Sequence, residues 1–180
     1  MRKVIHKWFW IWNFDKEEKW LNEMAAKGLA LTSVAFFRYE FEDCVPGEYK
    51  VRLEFLENHF RRAENEKYIE FLEETDAEHV GTFSRWAYFR KRTTEDNFKL
   101  FSDNASRIKH LTRIINFIIL LLGVNLYAGC YNLFLYFYWH HSSVNIIGIV
   151  NLLIAAFIMI GVIRLFQKRS KLKSEQQIFE

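Results

Sequence analysis

The chain has little cysteine, proline or glycine. Its 180 residues include two cysteines, one proline and seven dispersed glycines. Two cysteines cannot build the disulfide framework of a small secreted domain, and scattered glycines form no loop that could cradle a phosphate. No stretch rich in glycine and serine interrupts the sequence, which favours a fixed arrangement of its parts over a flexible tether.

Charge is missing from two long stretches near the C-terminus. Residues 114–139 and 144–166 are almost wholly apolar, and the first Asp, Glu, Lys or Arg in either is Arg164. A helix of about 20 apolar residues crosses a bilayer, and in lipid each backbone polar group must bond within its own segment. The sequence therefore predicts a transmembrane helical hairpin, with a turn at residues 140–143.

Basic residues flank both stretches on one side only. They are Arg107, Lys109 and Arg113 before the first stretch, and Arg164, Lys168, Arg169, Lys171 and Lys173 at the end of the second. Because Lys and Arg near helix ends stay in the cytoplasm, we expect a protein of the cell membrane with both termini cytoplasmic. The basic residues also suit contacts with anionic lipid headgroups, so membrane lipid is an expected partner.

The region before the apolar stretches carries no excess of either charge. Residues 1–110 hold 19 Lys and Arg against 20 Asp and Glu. A domain that binds nucleic acid normally shows a basic footprint on its folded part. Nucleic acid is therefore not an expected partner.

The first 95 residues alternate between strand and helix patterns. Aromatic and β-branched residues predict a strand over 3–14, and Asp15 is typical of the N-cap of a helix that ends before Gly28. The further predicted elements are strands over 29–42, 48–56 and 78–92 and a helix over 61–75. The order β-α-β-β-α-β predicts the α+β class and a ferredoxin-like cytoplasmic domain over 1–95.

Two further segments complete the predicted organisation. An apolar stripe over residues 96–113 predicts an amphipathic helix that continues directly into the first membrane span. Residues 167–180 are a basic cytoplasmic tail.

Small and amide residues repeat at helical spacing inside the predicted hairpin. They are Asn125, Gly129 and Asn132 in the first helix and Gly148, Asn151 and Ala155 in the second. Such residues mark close helix contacts in membranes. Asn132 and Asn151 lie equally far from the turn, so we expect them to face each other at similar depth.

Groups that could perform chemistry do not converge in the sequence. His140 and His141 are adjacent without further ligands, and His6, His59, His79 and His110 are scattered. Glu70, Glu73, Glu74, Asp76 and Glu78 form an acidic run typical of a solvated helix end. We expect a protein that is not an enzyme, with no catalytic, cofactor or metal site.

Aromatic residues make up 18% of the chain, more than one small core needs. If residues 3–14 form a strand, Trp8, Trp10 and Trp12 share one of its faces, and Trp86 and Tyr88 could join them. These five residues either fill the core, form an exposed surface that binds a second copy or a partner protein, or line a pocket for a small hydrophobic molecule.

Four segments carry a resemblance to a known family. KWFWIWNFDKEEKWLNEMAAKGLAL, EYKVRLEFL, WAYFRK and FSDNASRIKH, within residues 3–112, resemble the bacterial proteins grouped as domain of unknown function 2812. The resemblance implies a cytoplasmic domain on membrane helices, in a gene that lies beside one for a PadR-type regulator. It implies a regulatory or stress-linked role, and it supplies no catalytic residues.

The expected function is that of a membrane-anchored regulatory or interaction protein, with a homodimer as its assembly. Two alternatives remain open. The aromatic domain could sense a small hydrophobic or amphiphilic ligand, or the hairpin could dock an accessory subunit onto a membrane transporter.

Overall fold

The structure is a computed structural model that describes residues 2–57, 63–93, 104–139 and 142–179. It divides into two compact units, Met1–Ser102 and Asp103–Glu180, called unit 1 and unit 2 below. The predicted turn residues His140 and His141, and also His59, lie outside the described residues.

Unit 1 mixes strands and helices, which confirms the predicted α+β class. Its elements are β1 (Arg2–His6), α1 (Phe14–Ala26), β2 (Leu29–Ala35), β3 (Arg38–Asp43), β4 (Tyr49–Phe55), α2 (Ala63–Glu73), β5 (Glu78–Phe83) and β6 (Trp86–Arg92). A single 3₁₀ turn, Ile11–Asn13, precedes α1.

The described strands form two antiparallel sheets of three, in the orders β1-β3-β2 and β4-β6-β5. Each half of unit 1 thus runs strand, helix, strand, strand, with its last strand in the centre of its sheet. The register repeats as well: a bulge falls between Leu31 and Ser33 in β2 and between His79 and Gly81 in β5. Unit 1 is therefore the same βαββ arrangement built twice.

The ferredoxin-like prediction of one four-stranded sheet is not what the structure shows. Two predicted long strands, 29–42 and 78–92, each contain a two-residue turn and are hairpins. Phe37 and Ser84 adopt the left-handed conformation that these turns require, both with φ of 57°. Glycine and asparagine are the residues that usually signal such turns. Because Phe37 and Ser84 occupy these positions instead, the sequence contains no turn signal there, and each hairpin reads as one long strand.

The first predicted strand, 3–14, is also shorter in the structure. β1 ends at His6, and α1 begins at Phe14 with Asn13 rather than Asp15 at the N-cap. A run of aromatic and β-branched residues has strand propensity, but this propensity depends strongly on tertiary context and does not fix where a strand ends. Gly28 has the positive φ, 80°, expected after a helix.

The core of unit 1 lies between α1 and the sheets. Fully buried large residues include Leu21 of α1, Phe41 of β3, Phe55 of β4 and Phe89 of β6. A second buried group packs α2 onto the sheet β4-β6-β5. It consists of Leu56, Leu72, Ala77, Ala87 and Phe89. Phe71 of α2 lies outside this core and is 59% exposed.

Unit 2 consists of two long helices, α3 (Asn104–Trp139) and α4 (Ser142–Phe179), that pack against each other. By length and composition alone, both helices could cross a membrane. Along its described part, residues 104–113, the predicted connecting helix is continuous with the first predicted span. Likewise, α4 continues through residues 167–179 of the predicted tail.

Candidate interaction surface

The five predicted interaction residues fall into two groups. Trp8 and Trp10 are 46% and 41% exposed, and Trp12 is half-buried. Trp86 and Tyr88 lie inside unit 1 at 8% and 3% exposure. The structure therefore brings the first three together on the surface and assigns the other two to the core.

Exposed aromatic rings gather around the loop that follows β1. We call Trp8, Trp10, Trp12, Phe36 and Phe37 the aromatic surface cluster. Trp8 meets Trp10 edge to face at 5.0 Å between ring centroids, and Trp10 stacks on Trp12 at 5.5 Å. Trp8 also contacts both phenylalanines of the β2–β3 turn.

Backbone hydrogen bonds hold the two segments of the cluster in place. The Lys7 N–H donates to the Phe37 carbonyl at 3.0 Å, which extends the pairing of β1 with β3 by one residue. The Asn13 N–H donates to the Trp10 carbonyl at 2.7 Å and closes the 3₁₀ turn. The rings therefore stand on an ordered backbone.

The cluster keeps much apolar surface in contact with water. Phe36, at 60% exposure, is the most exposed ring of the cluster, and each apolar Å² left in water costs about 25 cal/mol. Contiguous exposed aromatic surface is typical of sites where proteins bind other molecules. Beside it, the Lys7 ammonium lies over the Trp20 ring at 4.5 Å, so the rim carries positive charge.

A buried polar network crosses the middle of unit 1. Glu17 of α1 is 8% exposed, and its Oε1 accepts hydrogen bonds from the hydroxyls of Tyr39 at 2.7 Å and Tyr88 at 2.6 Å. Tyr39 belongs to β3 and Tyr88 to β6. One carboxyl oxygen therefore ties α1 to both sheets.

Burial controls the ionisation of this network. It raises the pKa of the Glu17 carboxyl above its ordinary value, and the hydrogen bonds from Tyr88 and Tyr39 lower it by less. Burial, followed by the neighbouring Glu17 charge, also raises the pKa of both phenols. With both phenols donating to the same carboxyl oxygen, the geometry favours a structural role for all three groups.

Side chains of α1 close the outer edge of β4. Asn22 accepts from the Val51 N–H at 2.9 Å and donates to the Val51 carbonyl at 3.0 Å. Glu18 accepts from the Leu53 N–H at 3.1 Å and from Arg52 at 2.9 Å. The helix thus supplies the hydrogen bonds that a further strand would make.

Arg90 joins the two sheets. Its guanidinium donates to Glu78 at 2.6 Å within its own sheet, and to the Leu31 carbonyl and Glu42 of the other sheet, both at 2.9 Å. The Arg90 side chain is 17% exposed, whereas the side chains of Glu42 and Glu78 are 47% and 53% exposed, so water partly screens both ion pairs.

Sequence reasoning missed Glu17, Glu18, Asn22 and Arg90. One signal was available for the pair Glu18 and Asn22, because polar residues four apart share a helix face. That face adjoins the apolar stripe of α1 and is only half-buried. No local sequence signal could have identified Glu17 or Arg90. The partners of Glu17 lie at least 22 residues away in the chain, and those of Arg90 at least 12.

Among the described residues, no three His, Cys, Asp or Glu side chains form a group that could hold a metal ion. His79 instead hydrogen-bonds Thr82 at 2.9 Å within β5. The acidic run is divided between α2, the following turn and β5, where Glu78 pairs with Arg90.

In unit 2 the structure brings two of the predicted packing residues together. A Cβ built on Gly129 would lie 2.7 Å from Leu152 Cδ2 and 3.3 Å from the Gly148 carbonyl oxygen. One built on Gly148 would lie 3.2 Å from the Gly129 carbonyl oxygen. The two helices therefore make a close contact here, and a side chain at Gly129 would have to displace Leu152. Ala155 is also buried, at 1% exposure.

The three amide residues bond within their own helices. Asn125, Asn132 and Asn151 each donate to the carbonyl four residues earlier, at 2.6 to 2.9 Å. The pairing of Gly129 with Gly148, and of Thr112 with Arg169 at 3.5 Å, sets the register. It places Asn151 level with residues 126–130, so Asn132 lies nearer the turn by about 3 to 9 Å along the helix axis.

Comparison with known proteins gives a family and nothing beyond it. Neither curated proteins nor solved structures yielded a match. One family model, described as "Protein of unknown function (DUF2812)", matches residues 13–123, from the end of the 3₁₀ turn into α3. Since the match covers more than half of the chain, the protein belongs to the DUF2812 family.

Proposed function

We propose that this is a protein of the cell membrane whose α3 and α4 cross the bilayer as a hairpin, with both chain termini in the cytoplasm. The length and apolar character of both helices support it, as does the close approach of Gly129 and Gly148. The basic residues that flank the apolar stretches support the orientation.

Unit 1 then acts as a non-enzymatic interaction module on the cytoplasmic face. The single observation that carries this role is the aromatic surface cluster, in which Trp8, Trp10 and Phe36 stay 41 to 60% exposed while Trp8 contacts the other two rings. Packing these rings against another protein chain removes apolar surface from water. The expected occupant is a second copy of the chain, which gives a homodimer.

Cysteine labelling in intact cells tests the orientation. In a chain with Cys44 and Cys130 replaced by serine, a cysteine introduced at Ser142 should react with an impermeant maleimide added outside. One introduced at Ser174 should react only after the membrane is opened. Reaction at Ser174 in sealed cells, or protection of Ser142 in them, would refute the proposed orientation.

Mass photometry of the full chain in nanodiscs tests the interaction role. Trp8→Ala combined with Phe36→Ala should shift the population from dimer to monomer. Phe71→Ala is the matched control, because Phe71 is 59% exposed and lies on α2, outside the cluster. A monomeric native chain that also captures no protein from native membranes through this cluster would overturn the proposal.

A further inference from the structure

We propose that the outer edge of β1 is a binding site for an extended acidic peptide segment, which adds to the sheet as a further strand. This inference goes beyond the proposed function, because it uses backbone groups of β1 and not the rings of the aromatic surface cluster. It begins from a difference between the two otherwise equivalent halves of unit 1.

β1 and β4 occupy the same position in their sheets. Both are edge strands that pair with the central strand of their sheet. Arg2 of β1 pairs with Glu42 of β3, and Val51 of β4 pairs in the same way with Arg90 of β6. At β4, the outward N–H groups of Val51 and Leu53 are bonded to Asn22 and Glu18. That edge is closed to an incoming strand.

The outer edge of β1 is open as far as the structure describes the chain. No hydrogen bond joins its outer side to any residue that the structure describes, and Arg2, Lys3, Val4 and His6 are exposed. A row of unpaired N–H and C=O groups on an edge strand is a template for another strand. Peptide-binding domains use such edges, with backbone bonds for affinity and alternate side chains for specificity.

The register shows which groups face outward. The Lys7 N–H donates to the Phe37 carbonyl, so the backbone N–H and C=O groups of the odd-numbered residues of β3 point toward β1. Tyr39 and Phe41 are the next such residues, and they pair with Ile5 and Lys3. Because backbone direction alternates along a strand, the N–H and C=O groups of Arg2, Val4 and His6 point away from β3. Val4 lies at the centre of this free edge and is 43% exposed.

Charge selects the occupant. The sequence Arg2–Lys7 contains three cations, a histidine and no carboxylate. The carboxylates opposite it on β3 are already engaged, Glu42 with Arg90 and Glu40 with Arg38, at 2.9 and 2.8 Å. A second copy of β1 would set cations against cations across the new ladder, which is destabilising. An acidic strand meets opposite charges instead.

Fluorescence anisotropy with the full chain in nanodiscs tests the site. The probe is a labelled synthetic peptide in which glutamate and valine alternate over about seven residues, the usual length of a strand. We expect it to bind, and to bind more weakly as salt is raised. A peptide with lysine in place of glutamate should not bind. Failure of the glutamate peptide, or equal binding of the lysine peptide, overturns the inference.

Two sets of variants locate the binding at the edge. Val4→Pro removes one outward N–H and should weaken the glutamate peptide about tenfold, whereas Val4→Thr, which keeps the N–H, should not. If Val4→Pro does not fold, the double variant Arg2→Glu with Lys3→Glu is measured instead. This variant should bind the lysine peptide more tightly than the glutamate peptide. Binding that ignores all of these changes refutes the site.

Hydrogen exchange separates this site from the aromatic surface cluster. The glutamate peptide should slow amide exchange in residues 2–6 of the native chain and also in the variant with Trp8→Ala and Phe36→Ala. If that variant loses self-association but still binds the peptide, the result supports both the dimer through the aromatic surface cluster and the peptide site at β1. Unchanged exchange in residues 2–6 contradicts the edge site alone.

Discussion

Asn22 pairs with Val51 as a neighbouring strand would, accepting from its N–H at 2.9 Å and donating to its carbonyl at 3.0 Å. An edge strand that keeps these groups free is open to pairing with other chains. The Asn22 amide on α1 thus anchors the helix and, together with Glu18, closes the outer edge of β4.

Asn22→Ala should therefore destabilise unit 1. It leaves the N–H and carbonyl of Val51 without their partner, which costs about 1 to 3 kcal/mol. Thermal unfolding of the full chain in nanodiscs measures the change. Glu23→Ala, at an exposed position next to it on the same helix, is the control and should leave the transition unchanged. Equal effects of both would show that the paired bonds contribute nothing.

Glu17 should make the stability of unit 1 depend on pH. Burial raises the pKa of its carboxyl above the ordinary value of 4.5, so the folded chain holds the proton more tightly than the unfolded chain. The stability from this protonation is complete below pH 4.5 and is lost as the pH rises through the folded pKa.

Comparison of the native chain with Glu17→Gln isolates this effect. The difference in free energy of unfolding, native minus variant, should fall as the pH rises from 4.5 toward 7, because only the native chain loses the proton. Denaturant titrations at several pH values in nanodiscs measure it. A difference that rises over that interval, or stays constant, contradicts the expected direction.

The helix contact in unit 2 should tolerate no side chain at Gly129. Gly129→Leu forces Leu152 or the α4 backbone aside and should destabilise the helix pair by about 1 to 3 kcal/mol. Gly123→Leu is the matched control, since a Cβ there meets nothing within 4 Å. Cysteine cross-linking between α3 and α4 in native membranes reports the contact. Equal cross-linking in both variants would rule out the close approach.

Trp86 and Trp8 should respond differently to truncation. Trp86 packs against Phe55 and Phe14 at centroid distances of 5.0 and 5.4 Å, so Trp86→Ala should cost about 3 to 5 kcal/mol. Trp8 is 46% exposed, so Trp8→Ala should cost much less. Chemical denaturation of the full chain compares the two. A larger loss from Trp8→Ala would place the aromatic surface cluster in the core instead.

Local patterns identified several elements correctly. The helix ending before Gly28, the strand 48–56 and the two long apolar helices all follow from residues close in sequence, because caps, alternation and helical spacing act over a few positions. The hairpins at Phe37 and Ser84 escaped notice because neither turn carries the glycine or asparagine that its backbone conformation usually selects.

The sequence by itself determined the composition of the protein: an α+β unit rich in aromatic residues, followed by two helices apolar enough for a membrane. Only the tertiary structure decided which rings are exposed, since Trp8 and Trp86 are alike as residues and differ only in what packs around them. It also decided that Glu17 meets Tyr39 and Tyr88, and that α1 closes the outer edge of β4 while no described residue pairs with the outer edge of β1. These relationships join residues far apart in the chain, and no local pattern encodes contacts at that separation.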